Sequence, residues 1–125
     1  VGLARAVLWL SAAAFAAVGG AFLVAPASMG ARVGLSLAGA LADSDVRAVY
    51  GGLELGCAAL LAYGALEAGR VRLALAAQLC LFGGLAVARA VSWLAAGWPG
   101  PLGVALHAAE LAGLAAGWVA RRRLP

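Results

Sequence analysis

The sequence has no lysine and little charge of either sign: nine arginines, five acidic residues and one histidine in 125 residues. Charge this sparse excludes a disordered chain, which needs high charge and low hydrophobicity to stay open. It also argues against nucleic acid as a partner, because the arginines sit mostly at the ends of apolar runs rather than in a basic patch interleaved with aromatics. Cysteine is scarce as well. Cys57 and Cys80 lie inside apolar stretches without a C-x-x-C spacing, so they read as small buried hydrophobes rather than a redox pair. The many glycines fall in apolar runs with no lysine and no preceding strand, which excludes a phosphate-binding loop.

What remains is apolar. Hydrophobic residues make up 66% of the chain, and the mean hydropathy is +1.02. A soluble domain of 12.3 kDa has too much surface to hide that many apolar side chains. Four runs are long enough to cross a bilayer, at about 4–25, 45–66, 72–96 and 102–120. They predict one all-α domain, a four-helix transmembrane bundle with no room for a separate soluble unit. Pro26, Gly69 and the run Trp98-Pro99-Gly100-Pro101 are the breaks. A semi-polar connection from Ala27 to Ser44 is expected along the interface as a short helix or loop, with Ser44 or Asp45 capping the second span. Connections this short make neighbouring helices antiparallel, in an up-down order. No cleavable signal peptide is apparent at the first run.

Arginine sets the expected orientation. Arg5, the pair Arg70 and Arg72, and Arg121 to Arg123 all fall on one side of such a bundle. The positive-inside rule puts that side, with both termini, in the cytoplasm. Trp9, Tyr63 and Trp118 then lie near the inner boundary, and Trp93 and Trp98 near the outer one.

Three ionisable residues fall well inside the spans: Glu54, Arg89 and Glu110. Each costs about 3 kcal/mol in hydrocarbon on insertion scales, so each demands a reason. Glu54 lies nine residues past Asp45, Arg89 nine before Trp98, and Glu110 nine past Pro101. At ~1.5 Å per residue all three sit ~13 Å below the outer boundary. Helical spacing adds companions: Arg47, Tyr50 and Gly51 share the face of Glu54, and His107 shares that of Glu110. The pattern predicts a buried polar site of Glu54, Arg89, Glu110 and His107, with Arg47 and Tyr50 one to two turns further out. Glu54, Glu110 and His107 are the acid–base candidates; Arg47, Tyr50, Gly51 and Arg89 are the ligand-binding ones. Two glutamates against Arg89 leave one negative charge. Either Arg47 reaches down, His107 is protonated, or one glutamate carries a proton. An arginine in the same layer argues against a metal, and no cofactor is implied. The same charges would also serve simply to fix helix register.

Within the spans two glycine pairs have the G-x-x-x-G spacing, Gly52 with Gly56 and Gly113 with Gly117. They suit close helix packing within the bundle, or docking of a second copy or another membrane partner.

The stretch from Asp45 to Gly56, D-V-R-A-V-Y-G-G-L-E-L-G, resembles the core motif of a family of small bacterial four-helix integral membrane proteins of unknown function. An arginine near the start, A-P closing the first span, an arginine late in the third and a glutamate midway down the fourth extend the likeness over most of the chain. The resemblance implies the fold and a bacterial inner-membrane location, with Arg47, Tyr50, Gly51, Gly52, Glu54 and Gly56 as motif residues. It implies no activity. In size and topology the chain is more distantly similar to the DoxX-like proteins. Three functions fit these expectations: binding of a small or lipid-soluble molecule, with or without acid–base chemistry; a structural or accessory subunit; and a proton-coupled transporter acting as a dimer.

Overall fold

The computed structural model describes residues 1–125, all of them in helices or short connections. Helix α1 spans Gly2–Val24, α2 Pro26–Arg32, α3 Gly39–Val46, α4 Glu54–Leu66, α5 Val71–Ala96 and α6 Gly100–Arg122. A wide π-type turn, Arg47–Leu53, joins α3 to α4, and a 3-10 turn, Ala68–Arg70, leads into α5. Four continuous helical stretches, Gly2–Val24, Gly39–Leu66, Ala68–Ala96 and Gly100–Arg122, are long and apolar enough to cross a membrane. They fit a multi-pass membrane protein.

Local chemistry explains the breaks. Ala25, forced out of the helical region by the following proline, ends α1 at φ −134° and ψ 61°, and Pro26 opens α2 where its missing N–H costs nothing. Gly97 ends α5 with φ +87°, a conformation other residues rarely adopt.

The connection after the first span differs from the expected one. Most of it is helical: α2 fills its start, and the second long helix begins at Gly39, six residues ahead of the expected start at 45. Ser44 and Asp45 therefore lie inside the helix and do not cap it; the N-cap position is Ala38, with no side-chain cap bond. Nothing between Ala40 and Tyr50 is a proline or a left-handed glycine, so nothing stops the helix from starting early. Asp43 instead pairs with Arg47 one turn on, at 2.7 Å.

Only 23 of 125 residues are buried, and Leu94 is 90% exposed. That pattern suits helices whose outer faces meet lipid, which is as apolar as leucine. Specific contacts fix the neighbours. Arg5 donates to the carbonyls of Ala65 and Leu66 at the end of α4; Gly19 faces Gly51 and Glu54; Phe22 stacks on Tyr50. Positions thus rise along α1 as they fall along the second long helix. Gln78 with Gly113 and Arg89 with Glu110 relate α5 to α6 in the same way.

The packed core occupies one end. Ala4, Leu8, Ala12 and Phe15 of α1 meet Leu61 and Ala65 of α4, Leu75 of α5 and Ala120 of α6. Small residues allow the close approach: a Cβ at Gly64 would collide with the Cβ of Ala74. Toward the other end α1 keeps its contact with the π-type turn, and α5 keeps its contact with α6. Between these two pairs the bundle is open.

Candidate functional site

The open half of the bundle holds a cavity of about 760 Å³ between α1, the π-type turn, α5 and α6, with α2 and the segment after it at its mouth. Thirteen of its 17 lining residues are hydrophobic, among them Phe15, Phe22, Leu85 and Leu106. The other four are Arg32, Glu54, Arg89 and Glu110, and Tyr50 adds a hydroxyl to the lining.

Glu110 is 7% exposed on α6 and is held by a fork from α5. Arg89 Nε donates to Glu110 Oε1 at 3.0 Å and to Oε2 at 2.9 Å, and Arg89 Nη2 donates to Oε1 at 2.6 Å. Guanidinium and carboxylate match in this planar geometry, which makes it one of the stronger polar contacts available. His107 Nδ1 lies 3.5 Å from Glu110 Oε2, and its ring packs against Trp93 with centroids 4.9 Å apart. The structure thus contains a buried Arg89–Glu110–His107 cluster. Nη1 of Arg89 makes no hydrogen bond within the protein, and Arg89 lines the cavity.

Glu54 stands apart from that cluster. It lines the same cavity but forms no ion pair and no side-chain hydrogen bond with the protein. Its backbone is fixed tightly, because a Cβ at Gly19 would lie 2.9 Å from the Glu54 Cβ and 2.8 Å from the Gly51 carbonyl oxygen. The π-type turn ends one residue earlier, at Leu53. Wide turns of this kind inside α-helices are frequent at functional sites.

Arg47 does not reach down to Glu54. Its Nε donates to Asp43 at 2.7 Å, and its Nη1 donates to the carbonyl of Leu23, one of the last of α1. An arginine there satisfies an orphan carbonyl and sits at the favourable end of the helix dipole. Arg5 does the same for the end of α4. Of the expected site residues, Glu54, Tyr50, Arg89 and Glu110 line the cavity; Arg47, Gly51 and His107 do not. Gly51 is buried under α1, where a Cβ would come 3.3 Å from the Leu23 nitrogen, so its space is taken by helix contact. Gly113 and Gly117 face Phe82, Gln78 and Leu79 inside the bundle, whereas Gly56 faces nothing within 4 Å.

Two features were not anticipated from the residues. One is the π-type turn, for which a Gly-Gly pair is the only local sign. The other is Arg32, at the end of α2, which lines the cavity although it lies far from the polar layer in sequence.

A family model described as Domain of unknown function (DUF4345) matches residues 3–120. The chain belongs to that family, and the motif from Asp45 to Gly56 lies within the matched region. No curated protein and no solved structure matches the chain.

Proposed function

We propose that this protein binds a small, lipid-soluble ligand in the cavity between its two helix pairs, with Glu54 as the group that exchanges a proton or hydrogen bond with it. The observation that carries this reading is the free Glu54 carboxylate in an apolar chamber where Arg89 and Glu110 already satisfy one another and Arg32 forms no ion pair with it. A carboxylate that only fixed helix register would have a partner on a neighbouring helix. At about 760 Å³ the chamber is of the size that encloses one small ligand. Arg89, steadied by Glu110, presents Nη1 to an anionic or carbonyl group, and His107 tunes the Glu110 carboxylate from behind. Both termini lie in the cytoplasm on the strength of the arginine distribution, so the chamber opens in the outer half of the membrane.

The test uses a photoactivatable long-chain alcohol in phosphatidylcholine nanodiscs, with adducts mapped by mass spectrometry. Adducts are expected on Phe22, Leu85 and Leu106, and Glu54→Gln should lose most of them while its folded yield is unchanged. Loss of folding and labelling together would instead favour a structural or accessory role, in which the uncovered Gly52 and Gly56 face docks a partner. Proton flux into liposomes that disappears in Glu110→Gln would favour a dimeric transporter.

A further inference from the structure

A second, smaller cavity of about 380 Å³ adjoins the first near the turn between α5 and α6, where Pro99 and Gly103 form part of its wall. The two share part of their lining, and the shared charged residues are Arg32 and Arg89. Glu54 and Glu110 line only the first cavity. Glu110 is paired with Arg89 where the cavities meet, and the wall they share carries two guanidinium groups.

These two groups have donors to spare. Arg32 has no acidic partner; the arginine ion pairs of the chain join Arg47 to Asp43, Arg70 to Glu67 and Arg89 to Glu110. Arg89 uses Nε and Nη2 on Glu110 and leaves Nη1 free. An unpaired guanidinium, together with the spare N–H donors of a second, on the wall of an apolar cavity is complementary to an anion that carries a hydrocarbon tail. The tail would lie against Phe15, Phe22, Leu85 and Leu106, away from water.

We infer that the ligand is an anionic amphiphile drawn from the membrane, its carboxylate or phosphate headgroup held by Arg32 and Arg89 in the larger cavity that Glu54 also lines, and its tail along the apolar lining of that cavity. This rests on the cavity being a ligand site, and it assigns Arg32 as the headgroup-selecting residue. Arg32 is exposed on a short connecting helix and forms no ion pair, so its replacement breaks no charge pair of the bundle.

Three photoactivatable probes with the same alkyl tail and a carboxylate, alcohol or amine head distinguish the possibilities, in nanodiscs of phosphatidylcholine. A charge-assisted hydrogen bond corresponds to roughly a tenfold preference, so the carboxylate probe should label the cavity about tenfold more than the alcohol. Arg32→Gln should remove most of that preference, and Arg32→Lys should restore part of it. An amine probe that labels as well as the carboxylate, or an undiminished carboxylate preference in Arg32→Gln, would overturn the headgroup assignment. If all three probes label alike, the cavity binds tails without reading heads. If none labels it, the cavity is not a ligand site and the functional reading above fails as well. The wild-type probe series needs no variant, so a folding defect in Arg32→Gln would not hide the answer.

Discussion

Removing Glu110 should strand the Arg89 guanidinium in the half-buried wall of the cavity. Three N–H to oxygen contacts disappear at once, and Arg89 retains no other acidic partner. Breaking a buried pair from one side costs about 3–5 kcal/mol. The Arg89 side chain is 29% exposed, which lets it recover some solvation, so Glu110→Leu should lose about 3 kcal/mol, the lower end of that range. Replacing both partners by apolar groups removes the stranded charge, and Arg89→Met with Glu110→Leu should recover most of the loss. Reversible unfolding in mixed detergent micelles, read by tryptophan fluorescence, gives the four corners of the cycle. Stability losses that simply add would refute the claim that this pair holds α5 to α6, and would leave its geometry without energetic meaning.

Further expectations follow from the close contacts. Gly19→Ala places a Cβ 2.8 Å from the Gly51 carbonyl oxygen and should destabilise the bundle by about 1–3 kcal/mol through overpacking. Gly56→Ala, with nothing within 4 Å, should be neutral in the monomer by the same unfolding assay; a drop in oligomeric state by light scattering would reveal a docking role. Arg47→Ala frees the Leu23 carbonyl and should cost about 1 kcal/mol, seen as faster amide exchange where α1 ends. Fusing alkaline phosphatase after Pro125 should give an inactive enzyme in a bacterial host, because a cytoplasmic terminus keeps the enzyme reduced; an active fusion would reverse the orientation.

The number and nature of the long helices were legible because length and hydropathy decide membrane spans with little help from tertiary context. The pairing of Arg89 with Glu110 was legible for a related reason: a charge in hydrocarbon must find a partner, and equal depth on adjacent helices leaves few choices. Depth alone did not separate Glu54 from the pair, since the side of the helix on which α1 packs decides that. Arg47 looked like a site residue because it shares the helical face of Glu54, yet the wide turn and the open carbonyl of Leu23 give it a capping task. Arg32 carried no signal of its own; only the folding of Pro26–Arg32 as a helix across the cavity mouth brings it near Arg89.

The most direct measurement is a crystal structure of the protein grown from a lipidic mesophase. Elongated density running between α1 and α6, with one end beside Glu54, is the expected result. Helix pairs closed on one another along their whole length, with Glu54 ion-paired and no space between Phe22 and Leu106, would contradict it.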